Sequence, residues 1–69
     1  MSLWTTEITN NPEHDYALYM ELLEDDEAKA RIERNTAGEL HLSVYPSNET
    51  TQIPAAWIRQ LLIDAEKMI

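Results

Sequence analysis

The sequence predicts an α+β fold in which three or four antiparallel strands form a meander and one C-terminal helix packs on one face of the sheet. Apolar residues alternate along residues 28–32 and 40–44, which is typical of half-buried strands, and they recur at helical spacing along residues 53–69. A chain of 69 residues is long enough for one domain. We therefore expect residues 1–69 to form a single small acidic domain with a small core.

The C-terminal residues 53–69 have the pattern of an amphipathic helix. Pro54 fits the first turn, because the first amides of a helix have no partner within it, and Thr50 or Thr51 is the expected N-cap. Ile63 is an exception, since it lies on the charged side. The apolar residues predicted to face the sheet fall within one stripe of about 140°. They are Trp57, Ile58, Leu61, Leu62, Ala65, Met68 and Ile69.

The segment NTAG predicts a hairpin between the two alternating segments. Its glycine, Gly38, is the only glycine in the sequence. In the left-handed region it would complete a three-residue loop with a G1 bulge. This loop sets a register in which Ile32 faces Leu42 and Ala30 faces Val44.

Two further segments upstream are compatible with strands. Residues 16–24 fit a strand face and also helical spacing, and we favour the strand because a two-stranded hairpin alone is marginally stable. The acidic residues 24–27 then form the tip of a second hairpin. Residues 3–9 have the β-branched and aromatic content of a further edge strand. The alternation also places Ala28 on the same face as Ala30.

The charge of the chain limits its partners. Thirteen acidic and five basic residues give a net charge of −8, and the resulting field repels nucleic acids and anionic membranes. We therefore expect a protein partner with a basic or amphipathic surface, with neither nucleic acid nor membrane involved. The sequence has no cysteine, and its first residues lack the basic and apolar regions of a signal peptide. Both features favour a cytoplasmic protein.

The residue types of a catalytic or metal site are present without a suitable arrangement. Ser43, His41 and Glu33 could form a hydrolytic set, but residues two apart on a strand are separated by about 7 Å, too far for proton transfer. Residues 13–15 and 24–27 lack metal-ligand spacing, and a single glycine does not suffice for a phosphate-binding loop. We expect no catalytic residue, cofactor or metal. A small metal-dependent or hydrolytic enzyme is the most distant alternative.

The side of the predicted sheet that faces away from the helix is the candidate binding surface. Aromatic and charged residues occur together there, as they do in protein interfaces. The alternative is a solvated sheet face whose aromatic residues serve cross-strand packing. The candidate partner-binding residues are Tyr19, Glu21, Leu23, Arg31, Glu33, His41, Tyr45 and, on the helix, Ile63.

Ile63 has three possible explanations. It is a single exposed apolar residue, it is covered by the N-terminal residues, or it contacts another chain. Between the latter two we favour contact with another chain, because Ala56 lies beside it on the helix and the methylenes of Lys67 extend along the same strip.

A non-enzymatic protein-binding module is the function that the sequence favours. In size, acidity, lack of cysteine and sheet-plus-helix composition, the chain resembles small inhibitor proteins such as toxin immunity and anti-restriction proteins. This resemblance implies an inhibitor or immunity-like role. The alternative is a structural homo-oligomer, for example a homodimer, or an accessory subunit that uses the open sheet face.

Overall fold

A computed structural model of the protein describes residues 2–69. The four strands pair in sequence order, each antiparallel to the next. The predicted α+β meander with a C-terminal helix is therefore confirmed. No helix in residues 2–69 has the length and apolar character needed to cross a membrane. The elements are β1 (Trp4–Asn11), a 3-10 turn (Pro12–His14), β2 (Ala17–Glu24), β3 (Glu27–Arg34), β4 (Leu40–Val44) and α1 (Ala55–Met68).

The loop between β3 and β4 has the predicted register. Ile32 pairs with Leu42, and Gly38 has a φ of +82°, in the region that glycine adopts without steric cost. The Asn35 side chain holds the loop closed, because its Oδ1 accepts hydrogen bonds from two loop amides at 3.0 and 2.9 Å.

The acidic run forms the turn between β2 and β3, as predicted. Asp25 and Asp26 have φ values of 51° and 68°, and two central residues with positive φ are typical of the tight turn that matches strand twist. The Asp25 carboxylate accepts a hydrogen bond from the Leu3 amide at 2.9 Å, which ties the start of β1 to this turn. The strand predictions for residues 16–24 and 3–9 are confirmed.

A β-bulge in β3 moves Ala28 from its expected position. Leu22 pairs with Ala30, but the next residue of β2, Leu23, pairs with Ala28, so that Lys29 is an extra residue. An extra residue shifts the alternation by one and turns the following side chains to the other face. Ala28 therefore shares a face with Leu23, whereas Ala30 lies in the core. The prediction that the two alanines share a face is wrong, because residue alternation does not reveal a bulge.

The core lies between α1 and the two central strands. Around it pack half-buried apolar residues from both ends of the chain and from β4: Trp4, Leu40, Ile53, Trp57, Ile58 and Ile69. The buried residues are Met20, Leu22, Ala30, Ile32, Leu61 and Ala65. Since residues 2–69 contain only these six buried side chains, each contributes a large share of the stability.

The helix crosses the sheet diagonally. Trp57 in its first turn lies against Trp4 at the start of β1, with ring centroids 5.4 Å apart and ring planes inclined at 50°. At the other end, Arg34 of β3 donates from Nε to the Ile69 carbonyl at 3.0 Å and from Nη2 to the Glu66 carboxylate at 3.0 Å. The first turn of α1 therefore lies at one end of the sheet, over β1, and its last turn lies at the other end, over β3. The helix leaves the two remaining corners of the sheet uncovered.

The start of the helix differs from the prediction. It begins at Ala55, and the N-cap position is Pro54, which makes no side-chain capping bond. The expectation that Thr50 or Thr51 provides the cap is therefore wrong.

Leu62 and Met68 do not belong to the buried stripe. They are 37% and 53% exposed, because the part of α1 that faces the sheet centres on Leu61 and Ala65 and is narrower than the apolar stripe in the sequence.

Ile63 is 50% exposed and lies on the side of α1 that faces away from the sheet. Residues 4–11 do not cover it, because they form β1 and pair with β2. That explanation is wrong. Two explanations for Ile63 remain: it is a single exposed apolar residue, or it contacts another chain.

Ile32→Ala is expected to lower the free energy of unfolding by about 2–5 kcal/mol, because it leaves a cavity in the core. A domain of this size has about 3–5 kcal/mol in total, so the variant should be largely unfolded. Val44→Ala is the matched control, since Val44 lies on the same side of the adjacent strand but is 51% exposed. Urea unfolding measured by circular dichroism tests both variants. Equal losses would contradict the position of the core.

Candidate binding face

The side of the sheet that faces away from α1, called the outer face below, gathers most of the predicted site. Of the eight candidate residues, Ile63 alone lies elsewhere, on the opposite side of the molecule. The register places the other candidates on one side, and the Tyr45 amide continues the β3–β4 ladder by donating to the Lys29 carbonyl at 2.9 Å. These residues of the outer face are Tyr19, Glu21, Leu23, Arg31, Glu33, His41 and Tyr45.

The guanidinium of Arg31 lies between two tyrosine rings. Its Cζ is 5.6 Å from the ring centroid of Tyr19 and 5.9 Å from that of Tyr45. Both tyrosines are diagonal neighbours of Arg31 on the adjacent strands, a position that long side chains reach. Attraction between the guanidinium and the ring faces stabilises this Tyr19–Arg31–Tyr45 row across β2, β3 and β4.

Two carboxylates restrain the row. The Tyr45 hydroxyl donates a hydrogen bond to Glu21 Oε2 at 2.6 Å. Glu33 Oε1 lies 3.4 Å from Arg31 Nε, which is an ion-pair distance. This Nε is buried and has no hydrogen bond of good geometry within residues 2–69. The contact between Arg31 and Glu33 is therefore electrostatic, and the hydrogen bond from Tyr45 is the directional one.

Tyr45 is half-buried on the outer face. Burial raises the pKa of Tyr45 to about 12, and the hydrogen bond to Glu21 and the negative charge of that carboxylate act in the same direction. All three effects disfavour the phenolate. The positive charge of Arg31 favours it but has a smaller effect.

His41 and Leu23 lie at opposite margins of the outer face. The Nε2 of His41 is 2.9 Å from the Asn35 amide nitrogen. Since an amide nitrogen only donates, this contact is a hydrogen bond when Nε2 is the acceptor. His41 also pairs across the strands with Glu33. Leu23 pairs with Ala28 beside the bulge.

Glu7 is a residue of the outer face that the sequence analysis missed. It lies directly opposite Glu21, and neither has an ion pair within residues 2–69. Like charges in this arrangement repel each other. The pairing depends on the turn between β1 and β2, where Asp15 and Tyr16 have φ values of 55° and 59°. The sequence NNPE at residues 10–13 is typical of a turn, but it does not set this register.

Ser43 pairs with Arg31 on the outer face, and the neighbouring pair is His41 with Glu33. Residues 2–69 contain no group of three or more His, Asp or Glu side chains placed to hold a metal ion. The described part of the chain also has no detectable pocket. The chain matches no protein-family model, no curated protein and no solved structure.

The protein is expected to lose stability between about pH 10 and pH 12, because of Tyr45. Its pKa is about 12 in the folded protein, whereas that of an unfolded tyrosine is about 10. Between these values the folded protein holds a proton that the unfolded chain has released. The stabilisation is therefore fully present below about pH 10 and is lost as the pH rises through the folded pKa.

Tyr45→Phe removes this titration, so its stability should depend less on pH in the same range. Denaturant unfolding at a series of pH values measures both proteins. Parallel pH profiles would show that Tyr45 is not responsible.

Glu7→Gln is expected to raise the free energy of unfolding by about 0.2–1 kcal/mol, because it removes the repulsion from Glu21. The gain should shrink at high salt, which screens exposed charges. Glu49→Gln makes the same change in net charge at an exposed loop position and serves as the control. Urea unfolding at low and high ionic strength measures the effect. Equal gains in both variants would assign it to net charge and not to the pair.

Proposed function

We propose that the protein is a non-enzymatic module that binds a protein partner through the outer face of its sheet. The Tyr19–Arg31–Tyr45 row is the observation that supports this function. Tyrosine and arginine are enriched among the residues that contribute most to binding energy in protein interfaces. These three side chains are already restrained by cation–π contacts and a hydrogen bond, so binding would cost less side-chain entropy.

The charges around the row favour a partner with a basic or amphipathic surface. Glu7 and Glu21 face each other without an ion pair in residues 2–69, so a lysine or arginine of the partner would relieve their repulsion. The acidic turn at residues 24–27 extends from the end of the same sheet. With a net charge of −8, the protein would attract a basic surface over a distance and accelerate the encounter.

The outer face is less suited to a second copy of itself. Stacking two outer faces would bury Glu7 and Glu21 of both copies, which have no ion pair in residues 2–69, and buried like charges are costly. The charges therefore favour a binding module over a homo-oligomer that buries this face.

An inhibitor or immunity-like role is the most specific form of this function. In that role, the acidic outer face would cover a basic functional surface of the partner. Fast association driven by opposite charges suits an inhibitor, because the on-rate determines how soon the partner is blocked. We place this role in the cytoplasm, where a chain without cysteine has no need of oxidising conditions.

Arg31→Ala and Tyr19→Ala are each expected to weaken partner binding about 30-fold, which corresponds to the roughly 2 kcal/mol that defines a dominant interface residue. A partner captured from the host by the immobilised wild-type protein would be purified and titrated calorimetrically against each variant. Arg59→Ala is the matched control, because Arg59 is an exposed arginine of α1. It should bind like the wild type.

Circular dichroism and thermal unfolding establish that each variant is folded before binding is compared. Equal affinities for folded Arg31→Ala, Tyr19→Ala and Arg59→Ala would show that the outer face is not the binding surface.

A further inference from the structure

The free edge of β4 exposes unpaired backbone groups. The Tyr45 amide donates to the Lys29 carbonyl of β3, and backbone groups alternate in direction along a strand. Those of Leu40, Leu42 and Val44 therefore point away from β3. Within residues 2–69 no further strand lies beside this edge. Such an edge is a template for another strand.

Apolar side chains next to this edge are left uncovered by the helix. Leu42 and Val44 are 41% and 51% exposed at a corner of the sheet that α1 does not cross. Leu62 is also partly exposed, and it lies on the margin of α1 that faces β4. This follows because Glu66, one turn further along that margin, binds Arg34 of β3.

Among the four strands, β4 is the one without a charged side chain. Its sequence is LHLSV, whereas β1, β2 and β3 each contain glutamate. In a chain with a net charge of −8, a second copy approaches most easily where negative charge is absent. The strand also lacks the lysine, proline or bulge with which proteins commonly prevent pairing at a sheet edge.

We propose that two copies of the chain pair antiparallel through β4, with a two-fold axis at Leu42 perpendicular to the sheet. In this register Leu42 faces Leu42 of the second copy, and Leu40 faces its Val44, so apolar side chains meet on the helix side. On the other side His41 faces Ser43, and no charged residues of the two strands oppose each other.

The resulting sheet is continuous, and both helices lie on the same side of it. The two outer faces then lie side by side on the other side, which allows bivalent binding of a partner. The pairing does not depend on the function proposed for the outer face, because it uses the free edge of β4 and not the Tyr19–Arg31–Tyr45 row. A strand pair of five residues is a small interface, so the dimer forms in a concentration-dependent equilibrium.

Single-cysteine variants test the register, because the sequence has no cysteine of its own. Leu42→Cys should form a disulfide-linked dimer under mild oxidation. Residues that face each other in a hydrogen-bonded antiparallel pair have Cα atoms about 5.5 Å apart, within the range of a disulfide. Val44→Cys should stay mostly monomeric, because the two residues 44 would be about 14 Å apart along the strands.

The greater exposure of Val44 makes Val44→Cys a stringent control. Val44 is more exposed than Leu42, so random collisions would cross-link Val44→Cys more readily. Cross-linking of Val44→Cys as fast as that of Leu42→Cys would overturn the proposed register. A mixture of Leu40→Cys and Val44→Cys should yield the mixed disulfide.

Sedimentation equilibrium tests the association itself. The wild-type mass should rise from 8.0 kDa for one chain towards twice that value as the concentration increases. Leu42→Lys should remain at the mass of one chain with an unchanged circular dichroism spectrum. Ile8→Lys is the matched control on the opposite edge, where Ile8 of β1 is 38% exposed, and it should still associate.

Two results would overturn the proposal. One is a wild-type protein that keeps the mass of one chain at every concentration. The other is an association that Ile8→Lys abolishes and Leu42→Lys leaves intact, which would assign the interface to β1.

Discussion

The structure depends on the packing of Leu61 and Ala65 of α1 against β2 and β3. A four-stranded sheet with nothing on either face is not stable, and this contact gives one face its apolar cover. The Trp4–Trp57 contact and the hydrogen bonds of Arg34 hold the two ends of the helix. Together they set the diagonal along which α1 crosses the sheet. That diagonal decides which apolar side chains are buried and which remain at the corners.

The outer face has no second layer, so its side chains shield one another. Arg31 is covered by two tyrosine rings, and the Tyr45 hydroxyl is turned towards Glu21. This mutual cover explains how the pKa of Tyr45 rises to about 12 without a pocket. The same contacts hold the aromatic and charged groups in one arrangement. Packing that stabilises the sheet therefore also fixes the arrangement of the groups in the proposed binding surface.

The distribution of charge separates the molecule into two kinds of surface. Carboxylates occupy the outer face and the turn between β2 and β3, whereas β4 has none. In the proposed function, the first kind of surface attracts a basic protein, and its charge opposes the approach of a second copy of the chain. In the proposed dimer, the second kind of surface lets a copy approach, because backbone hydrogen bonds and apolar contact are then opposed by less electrostatic repulsion. The two proposed associations therefore use different surfaces, which meet at His41.

The sequence by itself determined the α+β fold class, the β3–β4 register and the gathering of seven candidate residues on one face. These features depend on Gly38 and on alternation within short segments, which are local properties of the chain. Tertiary structure alone decided the bulge at Lys29, the exposure of Leu62 and Met68, and the position of Glu7 opposite Glu21. Each of these depends on contacts between residues that are far apart in the chain. The apolar pattern of a helix is compatible with more than one crossing direction over a sheet, so the pattern alone does not decide which side chains are buried.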